Sequence, residues 1–332
     1  MRKSSISFAI LLLLSACGGG GGDGGGEPVT PPAPTALAVT PANYQAVAQE
    51  SVSSVSYLLD VSQFATGAQV ASEGLLLSFA RSQAGKLQHW FSSTPALVKG
   101  VDVAMTEPCS GGGSLKVTLD DRNGNQDIDV GESASLEAQQ CVEAGASMNG
   151  RMGFTVNSLS GDPNTDVYTM AVTMTLTDLR ASLSGGSITG NGTMGISVSS
   201  TGANTGSSSL TVDSLNVSGS FAGSNSSRAL QNFRIDESHT PSGAGYLSSV
   251  RMSGTLSSST WGSLSITLQT VDPFLSYSTS DYPHAGRITA TGLNGSKVRI
   301  TAQSETSTLV ELDADGDNNY EASVVKPWSD YF

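Results

Sequence analysis

Tyr168-Thr169-Met170-Ala171-Val172-Thr173-Met174-Thr175-Leu176 decides the fold. Tyr, Met, Val, Met and Leu alternate with Thr, Ala, Thr and Thr. A period of two places one set on each face of an extended chain, so the segment predicts an antiparallel strand with an apolar and a small polar face. Comparable runs recur at Met194–Val198, Leu215–Phe221, Val250–Leu256, Leu264–Leu268, Ile288–Ala290 and Val298–Ala302. Turn formers fall between them: Gly185-Gly186, Gly190-Asn191-Gly192, and Asn294-Gly295, a strong type I′ hairpin signal. No helix-length apolar pattern interrupts residues 101–332. The sequence therefore predicts an all-β-dominated fold, a long antiparallel meander of about a dozen strands forming a sandwich or a partly open barrel. Short, Ser/Thr-heavy strands argue against a transmembrane barrel.

Residues 40–100 read differently. Thr40 suits an N-cap and Pro41 the first helical position, where a missing N–H is harmless. Tyr44, Val47, Ala48, Val52, Val55, Leu58 and Leu59 then recur at helical spacing to about Asp60. A second helical or mixed stretch covers Val70 to Phe91, with Leu75–Leu77 and Phe79 apolar. One or two N-terminal helices are expected. The polar face of the first lacks Lys and Arg, so it should pack on the β domain rather than lie on a membrane.

The first 39 residues carry an address. Arg2 and Lys3 precede an apolar run, Ile6–Leu14, that ends in Leu14-Ser15-Ala16-Cys17. This reads as a lipoprotein signal peptide over residues 1–16, with Cys17 as the lipidated (palmitate-bearing) residue. The run is too short to span a bilayer, which needs about 20 residues. Residues 17–39 form a Gly- and Pro-rich linker, a flexible coil followed by a stiffer spacer. Gly18, rather than aspartate, follows the cysteine and favours the outer membrane over inner-membrane retention; periplasmic and surface-facing placements both stay open.

The chain has 29 acidic and 16 basic residues, a formal charge of −13. Losing Arg2 and Lys3 leaves 14 basic residues, and 14 − 29 gives −15. Without a Lys/Arg cluster such a surface repels phosphate backbones, which argues against nucleic acid as a partner. Besides Cys17 only Cys109 and Cys141 remain. An exported, oxidising setting makes a disulfide the expectation. Closing a loop of about 33 residues contributes about 3.7 kcal/mol on a chain-entropy basis.

Two acidic segments suit a hard cation. In Asp121-Arg122-Asn123-Gly124-Asn125-Gln126-Asp127-Ile128-Asp129-Val130-Gly131-Glu132, residues Asp121, Asn123 and Asn125 fall at ligand positions 1, 3 and 5 of a twelve-residue calcium loop. Asp127 would offer its carbonyl, Asp129 a water-mediated contact, and Glu132 two oxygens, with Ile128 as the apolar anchor. Gln126 stands where such loops carry glycine, and starting at Asp120 would put Arg122 in a ligand place. Midway between Cys109 and Cys141, the loop should tip a hairpin with the disulfide across its base. The second segment, Asp313-Ala314-Asp315-Gly316-Asp317-Asn318-Asn319-Tyr320-Glu321, alternates Asp313, Asp315 and Asp317, with Asn319 and Glu321 as later ligands. Position 12 is Val324, so Glu321 would have to substitute from a shortened loop, and Asn318 would supply the left-handed turn.

Catalytic constellations are poor. There is no G-x-S-x-G and no H-E-x-x-H, and His89, His239 and His284 are each alone. Trp90, Trp261 and Trp328 fit core packing better than a sugar platform. The Asn-x-Ser/Thr sequons at Asn191, Asn216, Asn225 and Asn294 carry no weight in a Ser/Thr-rich chain.

The lipobox with its Gly-rich spacer, the Thr40-Pro41-Ala42-Asn43 helix entry, the acidic loop between Cys109 and Cys141, and the Asp313–Glu321 segment followed by Trp328 resemble a family of poorly characterised proteobacterial envelope lipoproteins. The resemblance covers both ends and one internal module, and implies a β-rich protein without assigned activity. The expectation is a calcium-stabilised structural or binding module, not an enzyme. It would be anchored through lipid in the outer membrane, with an envelope protein, a glycan or an apolar ligand as partner. A carrier in a half-open barrel and an envelope glycan or ester hydrolase with a dispersed site are the alternatives.

Overall fold

The computed structural model describes residues 35–59, 74–93, 102–143, 145–162, 165, 167–202, 204–221, 224–243 and 245–331. Cys17 and the linker as far as residue 34 lie outside these residues, as do residues 70–73 of the second helical stretch.

Fourteen described strands pair strictly in chain order into one antiparallel sheet. They are β1 (Val103–Pro108), β2 (Ser114–Asp120), β3 (Ser133–Glu143), β4 (Ala146–Gly161), β5 (Val167–Leu183), β6 (Gly186–Gly202), β7 (Thr205–Phe221), β8 (Ser224–Ser242), β9 (Gly245–Ser258), β10 (Leu264–Tyr277), β11 (Ala285–Thr291), β12 (Lys297–Ser304), β13 (Ser307–Asp313) and β14 (Ala322–Pro327). The sheet is not closed. β1 and β14 are its edges, each ending in a proline that blunts further pairing. Of the two expected architectures this is the open form of the curled sheet. The alternation of 168–176 holds within β5: Val172, Met174 and Leu176 are buried, while the threonines between them face outward.

The strands β4–β9 run to 14–19 residues, longer than the runs legible in the sequence. The reason is a series of bulges that slip the alternation. Leu176 and Leu179 pair with Gly192 and Gly190, which leaves one extra residue in β5; β3, β7 and β8 carry comparable irregularities beside Gln140, Asp213 and Asn232. Gln140, Asp178 and Asn232 sit at φ of 51°, 47° and 47°. Each bulge bends its strand and adds twist, so the line of bulges creases the sheet. Gly150 and Gly254 make room for it: a Cβ on Gly150 would stand 2.2 Å from the Asp178 carbonyl oxygen, and one on Gly254 2.5 Å from Phe233 Cα. Gly190-Asn191-Gly192, expected as a turn, lies inside β6 for the same reason. Asn191 Oδ1 accepts the Asp178 N–H that the bulge frees.

The apolar face of the crease is covered by α1 (Tyr44–Leu59), α2 (Gly74–Ala84) and α3 (Leu87–Ser93). Thr40 opens α1 as expected: its carbonyl accepts the Tyr44 N–H and its own N–H donates to Asn43 Oδ1. The second helical stretch resolves into two helices. α1 lies against β11–β13, α2 against β5 and β6, and the two helices touch. β6 and β11 would be about 24 Å apart in a flat sheet at 4.8 Å per strand. Two packed helices are separated by only about 8–10 Å, so the sheet must curl to meet both. Val47, Leu76, Leu77, Phe79, Trp90 and Phe91 fill the curl with Phe154, Met174, Met194, Phe233, Leu268 and Ile300 in one core. Trp90, Trp261 and Trp328 are all buried and serve packing.

Two boundaries differ from expectation. Residues 35–39, assigned to the linker, belong to the fold: Leu37 N–H donates to Ser265, Ser265 N–H donates to Thr35, and Val39 is buried. Asn294 and Gly295 both take positive φ, 56° and 81°, but the β11–β12 connection spans residues 292–296 rather than two. The extra length lets the Leu293 N–H reach the Leu37 carbonyl and the Ser296 hydroxyl receive the Val39 N–H.

Candidate metal centres

The first acidic loop joins β2 to β3. Cys109 and Cys141 are disulfide-bonded at the other end of this hairpin, with Cα atoms 5.3 Å apart. Cys109 comes from the β1–β2 turn, not from β2 itself. Asp121 is buried and organises the loop, accepting the Gly124 N–H at Oδ1 (2.7 Å) and the Gln126 N–H at Oδ2 (3.1 Å). Asn123 and Asn125 accept the N–H two residues on, from Asn125 and Asp127. Glu132, also buried, closes the loop by accepting the Arg122 and Asp129 N–H groups. Gln126 takes the glycine-like turn at φ 67°, and Ile128 is buried as the anchor. Burial, with the nearby charges of Asp121 and Asp129, pushes the Glu132 carboxyl above the ordinary range despite its two N–H donors. A cation among these oxygens would reverse that shift.

The second loop joins β13 to β14 and repeats the scheme. Asp313, fully buried, accepts the Gly316 N–H (2.7 Å) and the Asn318 N–H (2.9 Å). Asp315 and Asp317 accept from Asp317 and Asn319. Asn318 adopts φ 70°, matching Gln126. Glu321 accepts the Ala314 N–H, as Glu132 accepts that of Arg122. Glu321 at position 9 thus fills the place that Glu132 fills from position 12, and the loop is three residues shorter. The Asn319 backbone and side-chain amides hold the Asp317 carboxyl below its ordinary range.

The two loops differ at their centres. One carboxylate oxygen each from Asp313, Asp315, Asp317 and Glu321 lies within 4.8 Å of the others, a hard-oxygen set suited to a divalent cation. In the first loop, Asp129 Oδ2 accepts the side-chain amides of Asn123 and Asn125, both at 2.6 Å. Presenting amide oxygens to an ion there requires both asparagines to reorient. Asp127 contributes its side chain outward, accepting from Gln88 of α3 at 2.7 Å.

Two partners had no local signal in the sequence. Lys297 Nζ lies 3.1 Å from Asp313 Oδ2 and donates to Asn318 Oδ1 at 2.7 Å. It arrives through the β12–β13 register, where it opposes Asp313. Gln88 arrives through the packing of α3. Among the histidines, His239 Nε2 is 2.8 Å from Glu237 Oε1, which also accepts the Ser248 hydroxyl. The carboxylate stands between serine and imidazole, so the set lacks the nucleophile-to-base contact of a catalytic triad.

No family model, curated protein or solved structure matches this chain.

Proposed function

We propose that the protein is a lipid-anchored module of the bacterial outer membrane, stiffened by calcium and one disulfide, that works by binding rather than catalysis. The observation that carries this reading is the shared hydrogen-bond scheme of the loops at Asp121 and Asp313, in which a buried first-position aspartate anchors the kind of turn a calcium loop requires. The second loop is the stronger site, because its four carboxylates already converge. Calcium there would offset the mutual repulsion of the four charges more fully than Lys297 does alone. The lipobox at Cys17 and the linker behind it support the anchor.

Thermal unfolding in excess calcium and in EDTA tests the metal. Saturation at about 100 times the Kd stabilises by about 2.7 kcal/mol. The expected result is a clearly higher Tm with calcium, and a smaller difference in Asp315→Asn/Asp317→Asn, whose exposed side chains leave the buried Asp313 in place. Equal Tm values for the unsubstituted protein would refute calcium. Acylation is tested by mass spectrometry of the mature N-terminus and by Cys17→Ser, which should leave the membrane fraction.

A further inference from the structure

The polar face of the long strands, opposite the helices, holds a trough. One row of residues crosses six strands at right angles: Ser158, Ala171, Ser197, Ser209, Asp236 and Arg251, each paired with the next. The neighbouring row, from Thr169 to Ser249, is made of hydroxyl residues throughout. The rows border a cavity of about 470 Å³, within the 300–1,000 Å³ or so of small-ligand sites. Such sites are usually apolar, whereas serine and threonine dominate this lining, with Arg234, Asp236, Glu237 and Arg251 as its charged members beside a few apolar ones.

Two arginines and two carboxylates border the trough, but they differ in access: Glu237 is buried and engaged by His239 and Ser248. Arg234 takes both oxygens of Asp236, at 2.7 and 2.6 Å. Arg251 lies directly across from Asp236, is exposed, and has no carboxylate partner among the described residues. The trough therefore presents a free guanidinium in a chain whose net charge is −13. Its floor is partly preorganised, since the Ser197 and Ser209 hydroxyls hydrogen-bond at 2.7 Å. Thr35, where the described chain begins, pairs at the other end of the strands, about 24 Å away along β8.

We propose that this trough binds a glycan through an acidic sugar unit. Hydroxyl groups both donate and accept, so the floor complements a polyol without needing a fixed polarity. The planar fork of Arg251 matches a carboxylate with two parallel hydrogen bonds. The negative charge of the whole chain opposes densely charged polymers, but it is screened beyond about 8 Å at physiological salt. The ligand class is accordingly a saccharide with isolated carboxylates, such as a uronic acid. This inference goes beyond the calcium reading and does not depend on it, because the trough and the acidic loops share no residue.

Calorimetric titration of the full chain with trigalacturonic acid and with neutral galactotriose tests it, each run in calcium and in EDTA. The acidic trisaccharide should bind at least tenfold more tightly than the neutral one. Arg251→Ala should weaken it at least tenfold, and Arg251→Lys should restore part of the loss. Ser209→Val should weaken both sugars, and unchanged melting of each variant shows that the fold is kept. Equal affinity for both sugars, undiminished binding by Arg251→Ala, or no binding at millimolar trigalacturonate would overturn the proposal. Binding to phosphatidylglycerol vesicles through Arg251 in place of the sugar would overturn it as well.

Discussion

Glu50 reaches from α1 to the sheet, where Arg228 grips both of its oxygens (2.6 and 3.0 Å) and the Ser258 hydroxyl donates to one. Burial alone pushes this carboxyl up, but Arg228 and Ser258 outweigh it and hold it below the ordinary 4.5. A carboxyl lowered by folding stabilises the native state in its charged form. That contribution is complete above the unfolded value and is lost as pH falls through the folded one. Glu50→Gln should therefore destabilise by about 2–3 kcal/mol near neutrality, because the largely buried Arg228 guanidinium would lose the carboxylate charge opposite it. Denaturant melts should show the gap from the unsubstituted protein shrinking below pH 4.5, and a gap independent of pH would contradict the assignment. Gly254 is a different kind of determinant. At φ 146° with Phe233 Cα so close, Gly254→Ala should cost about 3 kcal/mol or more through strain and overpacking, measurable in the same melts. Neither position had a legible signal. Glu50 pairs with Arg228 across 178 residues, and Gly254 matters only because a bulge faces it.

The β2–β3 hairpin is tied at one end by Cys109–Cys141 and ordered at the other by Asp121 and Glu132. Reducing the disulfide should destabilise the native protein by about 3–4 kcal/mol, read as a lower melting temperature in reductant. The effect should be absent from a Cys109→Ala/Cys141→Ala variant. Much of this hairpin was legible, because its strands alternate cleanly and the ligand pattern is contiguous: Leu115, Val117 and Leu119 are all buried. The same locality made the second loop readable, including the left-handed Asn318. Legibility failed where strands exchange information. Alternation in β5 slips between Leu176 and Leu179, so one strand of 17 residues looked like a shorter one. Gly190-Asn191-Gly192 has turn chemistry, yet serves close strand approach. Asn294-Gly295 takes the expected dihedrals in a loop lengthened by contacts to Leu37 and Val39. Lys297 beside Asp313 required the register itself.

The sheet and its helical layer are joined late along the chain. α1 precedes every described strand, but its seat lies on β11–β13 and its ion pair on β8. During refolding, pulse-labelled hydrogen exchange should show amides of β5–β8 protected before those of α1. Earlier protection of α1 would mean that the helix is ordered without its seat. Alternation explains why one face is apolar, and the bulges explain why that face is curled enough to hold two helices. Neighbour-only pairing has a further consequence for descent. Excising any two successive strands leaves flanks that already run antiparallel, so they can rejoin without rethreading. A closed barrel lacks this freedom, since strand number and stagger are locked together. Lineages of this protein can therefore lengthen or shorten by hairpin duplication and loss, and homologues should differ in length by multiples of one hairpin.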